Sequence, residues 1–318
     1  MRREETTGSS VAEFEKTGRG KTALALGGGG VRGVAHLGVM KFLEENHHDR
    51  YDFVVGTSAG ALFGALYLLS LDADEAQDTL SQAVARLSKT KGLPVVASRK
   101  SKFLTNVQEK LQTAKSLLTI SIIDKEPLRE FITALVGENT TFSDLKKPLY
   151  VVATDLKSGK DVVFSRGELV PALIASSALP GVFPPIEYHS YYLIDGGITQ
   201  KLPSRIAYGL GAKRVFAVDV GSPFRFKDRF ATPLQVIMRS EEIASQALHD
   251  RNCDTVNLLL SPRFGEMRWY EFKRHHEAFE AGHSEASENS RRIHRFFQPS
   301  LGRPLSTLKA IEKEFILE

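Results

Sequence analysis

The sequence predicts an α/β protein whose central, mainly parallel sheet is covered by helices on both faces. Short runs typical of buried strands alternate along the chain with helical or loop segments, as expected for such a sheet. These runs lie near Ala23, Val54, Val151, Val163, Leu193, Phe216 and Val256. Between them, Pro127 and Gly137 bracket a predicted helix at 128–136, because proline is favoured in the first helical turn and glycine after the last.

The composition is that of a globular protein. Of the 318 residues, 42% are hydrophobic and 25% are charged. We find no run of roughly 18 apolar residues, the length needed to cross a bilayer. The formal charge of +4 is compatible with weak attraction to an anionic lipid surface. We therefore expect a cytoplasmic protein that contacts membranes peripherally, and the sequence leaves its oligomeric state open.

Three regions are predicted along the chain. Residues 1–20 are polar and charged without a hydrophobic centre, which predicts a disordered tail and not a signal peptide. Residues 21–262 carry the strand signals and form the predicted α/β domain. Residues 263–318 are polar and rich in Arg, His and Glu, which predicts a helical C-terminal extension.

The segment Gly56-Thr-Ser58-Ala-Gly60 follows a short buried-strand signal and precedes an apolar helical run. A Gly-x-Ser-x-Gly turn between strand and helix is typical of a nucleophile elbow, in which the serine has a strained backbone and the glycines avoid clashes. The helix N-terminus would favour negative charge near Ser58. Alternatively, Ser58 is an ordinary helix-capping serine.

A glycine run at 27–33 lies between a predicted strand and a predicted helix. Amides without side chains can converge on a phosphate or on the oxyanion formed in acyl transfer. Gly28-Gly-Gly-Val-Arg-Gly33 also satisfies the dinucleotide-binding pattern Gly-x-Gly-x-x-Gly. That pattern expects an acidic residue at the end of the next strand. Asp52 begins its strand instead, which argues against nucleotide binding.

A third motif, Asp195-Gly196-Gly197, follows the apolar segment 191–194. An aspartate beside a serine can accept its proton and return it, provided that an apolar setting raises the carboxyl pKa. On its own, the motif is more typical of a simple turn.

Together the three motifs resemble the signature blocks of the patatin-like phospholipase family. Ala153-Thr-Asp-Leu156, Ala175-Ser-Ser-Ala-Leu-Pro180 and Phe183-Pro-Pro185 add to this resemblance, which runs from about residue 22 to about residue 260. It implies a three-layer α/β/α fold, with Ser58 as nucleophile and Asp195 as general base and acid. The remaining site residues it implies are Gly29 and Gly30 for the oxyanion hole, Gly28, Arg32 and Gly33 for the shape of the loop, and Gly56, Gly60, Gly196 and Gly197 for the elbow and the turn.

The resemblance implies a serine acylhydrolase that cleaves carboxylic esters of phospholipids or lysophospholipids through an acyl-enzyme, without a cofactor. Two alternatives stay open: an acyltransferase with the same nucleophile, and a non-catalytic regulatory module that keeps the fold. Nucleic acid is not an expected partner, because we find no recognition motif and no aromatic residues within a dense basic run.

Five of the nine histidines follow Asp195, in the chain order of a Ser-Asp-His triad. These are His249, His275, His276, His283 and His294. Most lie in highly charged helical sequence, so we expect solvated side chains and no triad. We also expect no metal site, because paired-histidine zinc spacing is absent from the sequence and its single cysteine, Cys253, has no second thiol to join it.

Residues 89–123 combine a basic stretch with leucines that share one helical face, including Leu111 and Leu118. Such a helix either packs on the main core or forms a lid or acyl groove beside the site.

Overall fold

The computed structural model describes residues 20–48, 50–87, 121, 123–221, 229–230, 233–253, 256–298 and 315–318. The predicted tail at 1–20 lies outside the described residues, except for Gly20. The predicted lid or acyl groove at 89–123 also lies outside them, except for Ser121 and Ile123.

The strands of the described residues form one nine-stranded sheet in the order β5-β6-β3-β2-β1-β7-β8, with β4 paired to β3 and β9 paired to β4. Five of the eight pairings are parallel and three are antiparallel, which confirms the mainly parallel sheet. The strands are β1 (Lys21–Leu26), β2 (Phe53–Thr57), β3 (Leu149–Asp155), β4 (Asp161–Phe164), β5 (Ile186–Tyr188), β6 (Tyr191–Asp195), β7 (Ala212–Val218), β8 (Leu258–Leu260) and β9 (Phe315–Leu317).

Strand β3 brings two distant parts of the chain together along one edge. Its Val151–Thr154 stretch pairs with β4 on one side. On the other side, parallel β2 ends with Thr57 opposite Val152, and antiparallel β6 ends with Asp195 opposite Ala153. The ends of β2 and β6 therefore meet head to head at consecutive residues of β3.

Helices cover both faces of the sheet, as predicted. Leu24 and Leu26 of β1 belong to one apolar cluster, and the alternating Ala23 and Ala25 belong to a second cluster on the opposite face. The helices of the described residues are α1 (Ala35–Glu45), α2 (Ala59–Ser70), α3 (Ala73–Leu87), α4 (Glu126–Val136), α5 (Leu169–Ser176), α6 (Ser204–Gly209), α7 (Pro233–Cys253), α8 (His275–Glu288) and α9 (Ser290–Phe297). Helix α6 and Cys253 of α7 pack in the second cluster, and the other helices contribute to the first.

The segment after residue 262 packs directly on the rest of the fold. Helices α1 and α8 cross where each has a glycine, because a Cβ at Gly38 would overlap the Phe279 carbonyl and one at Gly282 would overlap that of Ala35. The chain ends in β9, whose Phe315 lies opposite Asp161 of β4. This strand lies within residues 263–318, for which a helical extension was predicted.

We predict that Gly282→Ala lowers the free energy of unfolding by about 1–3 kcal/mol, because the added methyl group forces the backbones of α1 and α8 apart. In a helix without this contact, the same change would stabilise the protein by up to about 1 kcal/mol. Urea unfolding measures the difference. The matched control is Ser284→Ala, an exposed position of α8, and equal or higher stability of Gly282→Ala would contradict the close crossing.

Candidate active site

Ser58 occupies a strained turn between β2 and α2. Its backbone has φ 52° and ψ −121°, a left-handed conformation that is costly for a residue with a side chain. The flanking glycines allow the turn to be this tight. A Cβ at Gly56 would lie 2.5 Å from Ala61 N, and a Cβ at Gly60 would overlap the Leu26 carbonyl. The elbow that the motif predicts is therefore present.

A buried serine at the end of α5 holds the elbow backbone. The Ser58 amide donates to Ser176 Oγ at 2.8 Å, and Ser176 Oγ donates to the Val152 carbonyl at 2.6 Å. Ser176 is fully buried, so water does not compete for these bonds. Ser176 lies in the segment 175–180 that resembles the family, but no role was predicted for it. Its only mark in the sequence is that it is the single polar residue of an otherwise apolar helix, α5.

The Ser58 side chain contacts a buried carboxylate. Ser58 Oγ donates to Asp195 Oδ2 at 2.7 Å, and the Gly197 amide donates to Asp195 Oδ1 at 2.7 Å. Both carboxylate oxygens thus have a fixed donor, and the two residues predicted as a pair are in direct contact. Gly196 packs against the Val152 carbonyl, where a side chain would not fit.

Burial raises the pKa of Asp195 to about 6, against the opposing effect of the hydrogen bonds from Ser58 and Gly197. The cause is desolvation, since an ionised carboxyl group is costly in a core from which water is excluded. A carboxyl group with this pKa is deprotonated at neutral pH and can still take up a proton readily, as a general base requires.

The glycine loop lies directly beside Ser58, because a Cβ at Gly28 would be 3.3 Å from Ser58 Cβ. Three of its amides are engaged: Gly27 N donates to the Val218 carbonyl, Gly28 N to that of Lys201 and Val31 N to that of Trp269. Across the part of the chain that the structure describes, no group accepts a hydrogen bond from the amides of Gly29 or Gly30. The loop therefore has two donors available for an anion.

Basic side chains buried behind the loop hold its carbonyl groups. Arg32 Nε donates to the Gly29 carbonyl at 3.3 Å, and His36 Nε2 is 2.8 Å from the Gly27 carbonyl. Burial lowers the pKa of His36 to about 4, so its neutral ring donates through Nε2. Gly33 lies against Ala59 Cβ, which joins the loop to the elbow helix.

None of the nine histidines, all of which are described, hydrogen-bonds with Ser58 or Asp195. His249 contacts Asp219, His283 contacts Glu45, and His275 and His276 both contact Gln77. The ring of His294 lies 5.5 Å from that of His48. The described geometry thus pairs Ser58 with a carboxylate alone.

Among the described helices, none is long and apolar enough to cross a membrane.

Comparison with known proteins gives relatives that match about two thirds of this chain, three of which are described below. The chain is 35% identical over 202 residues to mouse patatin-like phospholipase domain-containing protein 6, covering 63% of this chain and 13% of that protein. It is 32% identical over 213 residues to an NTE family protein of Mycobacterium bovis, covering 67% of this chain and 52% of that one. It is also 32% identical over 201 residues to lysophospholipase NTE1 of Mycosarcoma maydis, covering 63% of this chain and 10% of that protein.

The chain thus spans between a tenth and about half of the length of these relatives. The model of the family described as "Patatin-like phospholipase" matches residues 24–208. This match covers more than half of the chain and includes the glycine run at 27–33, Ser58 and Asp195. The chain belongs to the patatin-like phospholipase family.

Proposed function

We propose that the protein hydrolyses carboxylic ester bonds of phospholipids or lysophospholipids through a Ser58–Asp195 dyad and an acyl-enzyme. The observation that carries the proposal is the 2.7 Å hydrogen bond from Ser58 Oγ to the buried Asp195 carboxylate, made from a strained elbow beside two available loop amides. Family membership and relatives named as a phospholipase-domain protein and a lysophospholipase support the lipid ester as substrate.

In the first half-reaction, Ser58 Oγ attacks the ester carbonyl carbon and its proton passes to Asp195 Oδ2. The carbonyl oxygen becomes negatively charged and accepts hydrogen bonds from the Gly29 and Gly30 amides. When the tetrahedral intermediate collapses, the bond to the alcohol breaks and the alcohol takes the proton from Asp195. The acyl group remains on Ser58.

In the second half-reaction, water attacks the acyl carbonyl carbon while Asp195 accepts one of its protons. Collapse of this intermediate releases the fatty acid, and the proton on Asp195 returns to Ser58 Oγ. No metal or cofactor takes part in the proposed steps. An acyltransferase would follow the same first half-reaction, but an alcohol or thiol acceptor would replace water.

The dyad is tested with Ser58→Ala and Asp195→Asn, assayed on p-nitrophenyl esters of increasing chain length and on lysophospholipid. We expect Ser58→Ala to fall to background and Asp195→Asn to lose about 100- to 10,000-fold in kcat/KM, the usual contribution of a general base. Adding an alcohol acceptor to the wild-type assay separates hydrolysis from acyl transfer.

The matched control is His294→Gln, which removes a histidine away from the dyad and should leave kcat/KM unchanged. All variants are first compared by circular dichroism. If a folded Asp195→Asn stays within threefold of wild type (about 0.6 kcal/mol), the base lies elsewhere. If the folded wild type is inert to every ester and to serine-directed fluorophosphonates, the non-catalytic alternative is favoured.

The pH dependence follows from the pKa of Asp195, which burial raises to about 6. The base acts only when deprotonated, so kcat/KM should rise about tenfold per pH unit below this value and level off above it. The profile is measured with a neutral ester over the acidic and neutral range, with unfolding curves at each pH as control. A midpoint above neutrality would point to a histidine or another base.

The oxyanion donors are tested with Gly29→Ala. Gly29 has φ −179°, outside the left-handed region that favours glycine, but a Cβ there would lie 2.6 Å from the Val220 carbonyl and push the loop away from Ser58. We expect kcat to fall by about 100- to 1000-fold, the cost of one lost oxyanion donor. Circular dichroism serves as the folding control, and a folded variant with wild-type kcat would exclude these amides as oxyanion donors.

A further inference from the structure

A second cluster of reactive side chains lies at the exit of β7, on the opposite side of the glycine loop from Ser58. Asp219 directly follows β7, and His249 and Cys253 are four residues apart on α7. The three donor atoms, Asp219 Oδ2, His249 Nε2 and Cys253 Sγ, all lie within 4.8 Å of one another. The proposed hydrolysis does not use any of them.

Two of the three separations between these atoms are close to the edge lengths of a metal-coordination tetrahedron, and the third is at most 4.8 Å. His249 Nε2 is 3.0 Å from Asp219 Oδ2 and 3.4 Å from Cys253 Sγ. Ligands at ordinary zinc bond lengths and tetrahedral angles are separated by about 3.3 Å for nitrogen and oxygen and about 3.6 Å for nitrogen and sulfur. A shift of a few tenths of an ångström would thus give both separations.

The ligands are also held in place from behind. The Gly221 amide donates to Asp219 Oδ1 at 2.8 Å, which leaves Oδ2 directed at His249. His249 is 6% exposed, and one helical turn fixes its position relative to Cys253. Without a cation, the one proton that His249 Nε2 can carry is shared between Asp219 Oδ2 at 3.0 Å and Cys253 Sγ at 3.4 Å. A cation would satisfy all three atoms together.

We propose that Asp219, His249 and Cys253 bind a zinc ion, with a water molecule as fourth ligand. One thiolate, one imidazole and one carboxylate form a ligand set of the kind that Zn²⁺ accepts, whereas Mg²⁺ and Ca²⁺ prefer oxygen alone. Binding releases the thiol proton of Cys253 and any proton on His249 Nε2. This proposal replaces the expectation of no metal site, which considered paired histidines and paired cysteines but not a His-x-x-x-Cys face beside a strand-end aspartate.

The site joins α7 to the backbone that supports the glycine loop. Asp219 and Gly221 flank Val220, whose carbonyl packs against Gly29. Zinc would therefore fix the end of α7 to the wall of the proposed oxyanion loop, and its expected effects are on stability and on the access of reagents to the thiol.

The experiment uses the full chain, stripped of metal, with Zn²⁺ or Co²⁺ as the added ion. Because Cys253 is the only cysteine of the sequence, every thiol signal reports on this site alone. We expect one Zn²⁺ per chain in equilibrium dialysis, slower reaction of the thiol with Ellman's reagent when Zn²⁺ is present, and a thiolate-to-cobalt charge-transfer band with Co²⁺.

We expect His249→Gln and Cys253→Ser each to weaken Zn²⁺ binding by more than about tenfold, since even the loss of a group that supports a metal ligand costs 10- to 100-fold. His283→Gln, a histidine paired with Glu45 elsewhere, is the matched control and should bind like wild type.

Equal Zn²⁺ affinity in wild type and both ligand variants would overturn the proposal, as would a thiol whose reactivity saturating Zn²⁺ leaves unchanged. If the variants do not fold, the wild-type Co²⁺ spectrum decides, and a spectrum without a thiolate band overturns the site. None of these measurements depends on esterase activity, so their outcome tests the zinc site independently of the proposed hydrolysis.

Discussion

The pairing of β3 with two strand ends is the constraint on which the candidate site depends. Thr57 lies opposite Val152 and Asp195 lies opposite Ala153, so the residue after β2 and the last residue of β6 are brought together at one point of one edge. Because side chains alternate between faces along a strand, a shift of β6 by one residue would turn Asp195 to the other face. The same β3 carbonyl, at Val152, accepts the hydrogen bond from Ser176 that fixes the Ser58 amide. The nucleophile, the carboxylate and the hydrogen bond that supports the elbow are therefore all positioned by the same strand, β3.

The ionised Asp195 and the strained backbone of Ser58 both oppose folding at neutral pH. The pKa of Asp195 is raised from 3.8 to about 6 by burial. The contribution of Asp195 to stability is therefore fully present below the pKa that it has in the unfolded chain. This contribution is lost as the pH rises through about 6. The ionised form costs on the order of 3 kcal/mol at neutral pH, and the left-handed Ser58 adds on the order of 1–3 kcal/mol. Two extensive apolar clusters on opposite faces of the sheet offset these costs. A carboxylate and a strained serine kept in place against such costs are typical of a site maintained for chemistry.

Local patterns were sufficient to predict most of the sheet strands, the turn at Ser58 and the aspartate turn, because each is encoded within about ten consecutive residues. The contacts that assemble the site could not be obtained in this way. Ser58 and Ser176, which are hydrogen-bonded, are 118 residues apart. Which loop amides are available to an oxyanion depends on Trp269, whose carbonyl accepts the hydrogen bond of the Val31 amide and leaves those of Gly29 and Gly30. The strands β5 and β9, of three residues each, were not predicted. Likewise, the neighbours of Cys253 are of two other residue types, a histidine of the same helix and an aspartate that follows β7, so no repeated ligand motif marks them.

The exit of β7 links the two sites through a single stretch of backbone. The Val218 carbonyl accepts from the Gly27 amide, and Asp219 follows it directly. The negative charge of Asp219 also favours the buried guanidinium of Arg32, opposing the desolvation that lowers its pKa, and Arg32 in turn holds the Gly29 carbonyl. Neutralising Asp219 would weaken this electrostatic support in a region of low effective dielectric, where charges interact strongly. A zinc ion at the proposed Asp219–His249–Cys253 site would therefore act on the glycine loop through Arg32 and through the backbone of residues 218–221.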